Sequence, residues 1–303
     1  MLENGVRRMK KILLIYNPKA GKNSRRPSAE RLASLLSAEG NEVDVYVTTC
    51  RGDATEKART AQVYDVLAVA GGDGTLNEVL NGAIEAGYAP TVLYIPSGTT
   101  NQTAMAFGLP TKAENAAHLL QDGEIKKFDL GKFNDRAYID VCSFGYGTES
   151  SLTTSQKLKN KLGFKAFYIN QIRYLFSIKP IKMRITCDGR TIEGEYVFGN
   201  LVNTNMISTF VRLNDVGVEM DDGYLDLVVV KKLKNFLFLP GAFIKLLRKK
   251  FDGEKIIIMH GKLFTLEFEG ERSFLLDGER LQADTVAHVR VLPDAFSMYV
   301  PKQ

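Results

Sequence analysis

The sequence predicts an α/β chain in two parts, an alternating strand–helix region followed by a region dominated by strands. Two observations carry that prediction. Between Met1 and Asp129, short apolar runs rich in β-branched residues alternate with stretches of helical periodicity. Beyond Asp129 the helical stretches become rare and strand-like runs follow one another. Strands alternating with helices imply a parallel sheet covered on both faces, whereas strands joined by tight turns imply antiparallel pairing.

Each element of the first region has its own signal. Lys11–Tyr16 is a short apolar strand. Ser28–Glu39 reads as a helix with Leu32, Leu35 and Leu36 on one face and Gly40 as its stop. Glu42–Thr48 sets Val43, Val45 and Val47 against polar residues, the period of a strand. Asp53–Gln62 is a second helix, Val66–Ala70 a buried strand, and Leu76–Glu85 a third helix. Thr91–Ile95 is another strand, and Thr111–Gln121 a helix opened by a capping box of Thr111 with Glu114.

In the second region the strand-like runs are Arg136–Cys142, Lys182–Cys187, Tyr196–Asn203, Tyr224–Val230, Lys255–His260, Leu263–Glu269 and Thr285–Leu292. Asp188-Gly189 and Asp277-Gly278 are turn pairs among them. Two helical stretches interrupt, near Gln156–Ser177 and Asn235–Arg248. No internal repeat and no low-complexity linker divides the chain.

Composition narrows the function classes. At 303 residues the chain has room for two domains. No apolar run reaches the roughly 18–20 residues needed to cross a bilayer, and the polar, basic start lacks a signal-peptide pattern, so the sequence reads as cytoplasmic. Cys50, Cys142 and Cys187 are far apart and odd in number, which fits reduced, buried thiols rather than a disulfide framework or a paired-cysteine zinc site. The net charge of +5 is unevenly spread. Ser151–Lys182 and Lys231–Lys250 contain no acid, and the latter ends in Arg248, Lys249 and Lys250. Such stretches attract the phosphates of nucleotides, nucleic acids or anionic lipids.

The chemistry concentrates in glycine turns at strand ends. Val66–Ala70 runs into Gly71-Gly72-Asp73-Gly74-Thr75 and then into a helix. Strand, glycine turn and helix make a phosphate site, because the helix start offers unpaired N–H groups and the positive end of its dipole. The run matches neither Gly-x-x-x-x-Gly-Lys nor Gly-x-Gly-x-x-Gly. Asp73 would repel a phosphate unless a cation or a transferable proton intervened, which points to Mg²⁺ or general-base chemistry. A plain Asp-Gly turn is the competing reading. Two more turns, Asn17-Pro18-Lys19-Ala20-Gly21-Lys22 and Pro96-Ser97-Gly98-Thr99-Thr100-Asn101, also follow strands. Ligands of open parallel sheets bind beyond the carboxyl ends of the strands, so the three turns are expected to converge on one crevice suited to a polyphosphate.

Together these residues resemble the bacterial diacylglycerol kinase catalytic domain family. The resemblance rests on Asn17-Pro18 with Gly21, on Gly71 to Val79, on Pro96-x-Gly98-Thr99-x-Asn101, and on Asp277-Gly278-Glu279. It implies a Rossmann-like α/β nucleotide domain and a mainly antiparallel β-sandwich domain, as in the related NAD kinases and sphingosine kinases. The boundaries expected are 1–129 with 294–303 for the ATP-binding domain, and 130–293 for the lipid-substrate domain.

The resemblance also implies roles. ATP would be lined by Asn17, Gly71, Gly72, Gly74 and Thr75, with Glu78, Ser97, Gly98, Thr99 and Asn101 beside them. Asp73 would lie at the phosphates and Mg²⁺. Asp277 would be the general base for the lipid hydroxyl, with Glu279 next to it; a hairpin turn is the alternative for that pair. Asp129 would join an acidic network with Asp73. A second, structural Mg²⁺ site would use the Asp222 carboxylate and the backbone carbonyls of Glu219 and Tyr224. Where the family pattern carries an acid after Asn101, this sequence has Gln102.

His118, His260 and His288 show no ligand spacing and read as structural. Basic Asn235–Arg248 suits either docking on an anionic membrane surface or ordinary packing. The reading is therefore a peripheral, ATP- and Mg²⁺-dependent kinase of a membrane lipid, foremost diacylglycerol, that does not bind nucleic acid and can form a homodimer. Its rivals are a kinase of phosphatidylglycerol, a sphingoid base or NAD, and a nucleotide- and lipid-binding regulator without turnover.

Overall fold

The computed structural model describes residues 8–21, 28–38, 40–99, 101–145, 180–204, 206–208, 211–212, 220–232 and 255–302. The helices expected at Gln156–Ser177 and Asn235–Arg248 lie outside these residues, as do the basic stretches that contain them apart from residues 180–182 and 231–232. The chain divides into two compact units, Met1–Phe128 with Asp294–Gln303, and Asp129–Pro293.

The first unit is built on β1 (Lys11–Tyr16), β2 (Glu42–Val47), β3 (Val66–Gly71) and β4 (Thr91–Pro96), all parallel, in the order β4-β3-β1-β2. Ile12–Ile15 and every residue of β3 are buried, as a strand covered on both faces requires. Edge strand β2 departs from the sequence expectation. Its valines do not form a buried face, and Val45 and Val47 are 44% and 45% exposed. The chain passes from β1 to β2 on one side and then to β3 on the other. The carboxyl ends of β1 and β3 therefore flank the topological switch point, where open sheets of this kind bind ligands.

The helices are α1 (Ala29–Ser37), α2 (Asp53–Arg59), α3 (Asp73–Glu85), α4 (Gln102–Ala106) and α5 (Ala113–Asp122). Ser28 caps α1 by accepting from the Arg31 N–H. Helix α3 packs closely on α2, since a Cβ on Gly82 would lie 2.3 Å from the Thr55 carbonyl oxygen. The expected capping box on α5 is not made. The helix starts after Lys112 with no side-chain cap, and Glu114 instead accepts from Arg31 at 2.9 Å. Arg31 thereby ties α5 to α1, a tertiary contact outweighing a local one.

The second unit is mainly antiparallel. The expected strand Arg136–Cys142 is two, β6 (Arg136–Tyr138) and β7 (Val141–Gly145), because the backbone at Ile139 and Asp140 turns aside to bind a side chain described below. The others are β8 (Ile181–Cys187), β9 (Arg190–Val202), β10 (Met206–Ser208), β11 (Val211–Arg212) and β12 (Leu225–Lys231). They continue with β13 (Ile256–Gly261), β14 (Leu263–Phe268), β15 (Arg272–Leu276) and β16 (Glu279–Ala283). Long β9 pairs with β8 along its first half and with β7 and β12 along its second. The core holds Phe133, Phe144, Phe264 and Phe274. Phe144 lies over Gly199, where any Cβ would come within 2.1 Å of the ring. Two strands run from one unit into the other, β5 (Glu124–Phe133) and β17 (Val286–Val300). The sequence reading stops a strand at Leu292, but β17 continues through Pro293 and joins β4 in parallel, with Ser297 opposite Thr91.

Cys142 and Cys187 are buried, and burial raises both thiols, Cys187 to about 11, so neither is a ready nucleophile. Cys50 is exposed, against the expectation of a buried thiol. Among the described residues no helix is long and apolar enough to cross a membrane.

Candidate active site

In the first unit three glycine loops meet beyond β1, β3 and β4. The loop after β1 is fixed by the Asn17 N–H donating to the Ala70 oxygen, at 2.9 Å, and by the Asn17 amide donating to Thr75 Oγ1, at 2.8 Å. The loop after β4 is fixed by Ser97 N–H to the Gly71 oxygen, at 2.8 Å. Asn101, at φ +47, closes that loop on itself, accepting from the Gly98 N–H and donating to the Gly98 oxygen. The glycines permit these contacts. A Cβ on Gly98 would fall 2.7 Å from Gly72 Cα, and one on Gly21 would fall 2.4 Å from the Ser97 oxygen. The glycines are expected from sequence to admit a phosphate, and here most of them admit a neighbouring loop. Gly74 is different, with open space where its Cβ would be.

Helix α3 begins at Asp73, not at Leu76 as expected, so Asp73, Gly74 and Thr75 form its first turn. Its first i→i−4 bond is Leu76 N–H to the Gly72 oxygen. The N–H groups of Asp73 and Gly74 precede that bond and have no partner within the helix. Gly72, the cap, offers no side chain to them. They stand at the positive end of the helix next to the space over Gly74, which suits an anion.

Asp73 does not point into open solvent as an isolated carboxylate. Its Oδ2 accepts from the Gln102 N–H at 2.9 Å and its Oδ1 from the Thr103 N–H at 3.1 Å, with Tyr94 Oη at 3.5 Å. It therefore secures the start of α4, an element with no sequence signal of its own. Glu78 turns the other way, accepting from the Gly52 N–H at 3.0 Å, while Lys19 Nζ donates to the Thr49 oxygen at 2.9 Å. These bonds bring the β2–α2 loop to the same crevice, a contribution the sequence reading did not foresee. Ser97 Oγ is buried without a partner among the described residues. Thr100 lies outside those residues.

In the second unit Asp277 and Gly278 form the turn between β15 and β16, with Leu276 opposite Glu279. Both turn residues have positive φ, +46 and +87, as a two-residue type I′ turn requires. The Asp277 carboxylate accepts three backbone N–H bonds, from Ile139 at 2.6 Å, Asp140 at 2.9 Å and Val141 at 3.0 Å. Its negative charge and the burial of its neighbours raise the Tyr138 phenol and the Cys142 thiol well above their usual ranges, burial being the larger cause. Glu279 is paired with Arg136 at 3.5 Å.

Asp129 is buried, and its Oδ2 accepts from the Gly223 N–H at 2.6 Å while its own N–H donates to the Met220 oxygen at 2.9 Å. Asp222 accepts from the Tyr224 N–H at 2.9 Å. Glu219 lies outside the described residues. Tyr224 stacks on His260, whose Nδ1 is 3.1 Å from Asp226. Burial lifts the Asp226 carboxyl above its ordinary range and His260 partly offsets the rise. His118 and His288 are exposed, on α5 and β17.

Among the described residues no group of three or more His, Cys, Asp and Glu gathers as a metal cage. A magnesium ion that arrives with a polyphosphate needs less, one or two carboxylates with phosphate and water oxygens. Asp73 at the crevice meets that smaller requirement. The amide at Gln102 supplies no second carboxylate there.

The chain is similar to known proteins along most of its length. Residues 11–133 match the family model of the diacylglycerol kinase catalytic domain. A diacylglycerol kinase of Bacillus subtilis (strain 168) is 31% identical over 274 residues, covering 89% of this chain and 90% of the relative. A diacylglycerol kinase of Staphylococcus saprophyticus is 37% identical over 225 residues, 74% of this chain and 73% of the relative. A crystal structure of a diacylglycerol kinase from Bacillus anthracis str. Sterne superposes with a TM-score of 0.72 at 26% identity, covering 96% of this chain and 97% of that one. A second structure from the same organism gives a TM-score of 0.77 at 28% identity, with the same coverage. The fold is the mixed, sheet-dominated α/β architecture of these enzymes, and the chain is a lipid kinase, a transferase whose family uses ATP. It belongs to the diacylglycerol kinase catalytic domain family.

Proposed function

We propose that the protein transfers the γ-phosphoryl group of ATP to the free hydroxyl of diacylglycerol, giving phosphatidic acid and ADP. The observation that carries the nucleotide half is the meeting of three glycine loops at the open N-terminus of α3. The relatives' shared name supports the acceptor.

The first unit is the ATP-binding domain in this reading. The N–H groups of Asp73 and Gly74 receive phosphate oxygens, and Asn17, Thr75, Ser97, Gly98 and Thr99 shape the wall around them. Asp73 would hold a magnesium ion arriving with ATP, and that ion would supply charge neutralisation at the transferring phosphoryl group. The second unit binds the lipid. The acceptor oxygen forms its bond to the γ-phosphorus as the bond to the ADP oxygen breaks, and the hydroxyl proton passes to Asp277. Three backbone donors hold that carboxylate still, so it meets the hydroxyl without first being ordered. Phosphoryl transfer passes through a loose transition state, and positioning contributes more than basicity. Asp222 and the Tyr224 carbonyl are the proposed seat of a second, structural magnesium ion, and Asp129 fixes the turn that carries them. The basic segment ending in Arg248, Lys249 and Lys250 is the proposed contact with an anionic membrane.

The test is a radiolabelled-ATP assay over mixed vesicles, each containing one of diacylglycerol, phosphatidylglycerol or a sphingoid base. Labelled phosphatidic acid is expected from the first, and label moving only to another lipid would replace diacylglycerol as the substrate. One observation favours a second reading. With Gln102 replacing an acid, the crevice carries less negative charge for a divalent cation, which suits a regulator that binds ATP and lipid with little turnover.

A further inference from the structure

Asn203 closes β9 and is only 1% exposed. Its side-chain amide donates twice, to the Asp129 oxygen at 2.8 Å and to the Ile139 oxygen at 3.0 Å. Its backbone N–H donates to the Asp140 oxygen at 3.0 Å. The two carbonyls Ile139 and Asp140 belong to the segment whose N–H groups hold the Asp277 carboxylate from the other side. One residue thus grips the carbonyl side of a short irregular segment while Asp277 occupies its N–H side. The same amide reaches the backbone of Asp129, whose carboxylate fastens the turn at Gly223.

This segment needs such a clamp. Ile139 and Asp140 lie between β6 and β7, outside both strands. Three consecutive N–H groups can converge on one carboxylate only if their peptide planes are held in place. Asparagine suits the task, because one NH₂ group can serve two acceptors at once, and no acidic or hydroxyl side chain of similar size supplies two donors. The Asn203 Oδ1 atom has no partner among the described residues, so the bonds that locate this side chain are the two it donates. A buried amide oxygen without a partner is costly, and retaining it argues that those two donations matter.

We infer that Asn203 is a positioning residue for phosphoryl transfer, acting through the 139–141 segment to hold Asp277 in register with the acceptor hydroxyl. It touches neither nucleotide nor acceptor in this scheme. The inference rests on the proposed role of Asp277, and its test separates the two.

The experiment compares Asn203→Ala, Asp277→Asn and the double variant in the full chain. Asn203→Ser, which keeps one donor, is included in case the alanine variant does not fold. Single-turnover transfer to diacylglycerol in mixed vesicles, ATP affinity, and amide hydrogen exchange at Ile139, Asp140 and Val141 are measured. Asn203→Ala is expected to slow transfer at least tenfold with ATP affinity changed less than twofold, and to speed exchange of the three amides at least tenfold. Asn203→Ser is expected to fall between it and wild type. In the Asp277→Asn background the alanine change should slow the residual rate less than twofold, since a clamp has nothing left to align. If the change slows both backgrounds by the same factor, Asn203 is a general structural residue and the inference fails. A rate within twofold of wild type for Asn203→Ala, or unaltered exchange of the three amides, also overturns it. If Asp277→Asn itself stays within a few-fold of wild type, the underlying role of Asp277 is wrong, whatever Asn203 does.

Discussion

Replacing Asp73 by asparagine separates two tasks of one carboxylate, one seen in its backbone bonds and one belonging to the proposed function. The first is mechanical. Both oxygens accept backbone N–H bonds, from Gln102 and Thr103, and so hold α4 against the start of α3. Asparagine keeps one acceptor oxygen and turns an NH₂ group toward the other N–H, so one bond is lost and a donor faces a donor. Asparagine is itself a good helix cap, and the site is partly exposed, so the cost should be about 1–2 kcal/mol. The melting temperature should then fall by roughly 2–8 °C. The second task is electrostatic, since asparagine brings no charge to a divalent ion beside the phosphates. Loss of one preorganised group of this kind typically slows a reaction about 10²–10³-fold. The expected result is a folded protein that binds ATP, melts slightly early, and transfers phosphate at least about a hundredfold more slowly. Thermal unfolding and radiolabelled transfer to diacylglycerol read the two effects separately. A rate within a few-fold of wild type, with the melting shift present, would leave Asp73 as a clamp for α4 and refute its place at the metal.

The other predictions address acid, amide and basic groups in turn. Asp277→Ala should keep ATP affinity while turnover collapses, and Asp277→Asn should do the same with less loss of stability, since asparagine tolerates the positive φ of that turn. Loss of ATP affinity with turnover kept would exchange the roles of Asp73 and Asp277. Gln102→Asp should raise turnover most at low magnesium concentration, because a carboxylate attracts the ion where the amide does not; slower turnover would show the charge argument to be wrong. Glutamate at Arg248, Lys249 and Lys250 should weaken binding to anionic vesicles, and raised salt should imitate it. Equal vesicle binding by variant and wild type would favour a packed helix there.

Much of the first unit was legible because its signals are local. An apolar run such as Val66–Ala70, flanked by glycine and helical periodicity, has few other readings. What escaped was decided at a distance. Helix α4 is five residues long and starts where Asp73 supplies its cap from another loop, so no local cap announces it. The capping box at Thr111 failed for the converse reason, since Arg31 on α1 claimed Glu114. The break between β6 and β7 could not be read from Arg136–Cys142, where the apolar pattern is continuous, because its cause is a carboxylate more than a hundred positions away in sequence. Asn203 left one trace, a polar residue ending the apolar run that begins at Tyr196.

The Asp277 turn shows how far a motif can be read before geometry must decide. Asp188-Gly189 is the same dipeptide in the same unit, with the same positive φ values at both residues and the same two-residue hairpin. Its carboxylate also binds backbone, accepting from the Lys262 and Leu263 N–H groups at 2.8 and 3.0 Å. An aspartate that opens a type I′ turn and fastens a neighbouring strand connection is therefore a device found twice among the described residues of this unit. The turn and the backbone bonds give no reason by themselves to make Asp277 catalytic. Its surroundings differ in kind. Asp188 is held by two successive N–H groups where β13 passes into β14. Asp277 is held by three, on a segment that breaks a strand to reach it and is gripped from behind by a buried amide linked to Asp129. Fastening a hairpin needs no such support, as Asp188 demonstrates. The added structure makes sense if the exact position of one carboxylate matters, and phosphoryl transfer to a hydroxyl imposes that requirement.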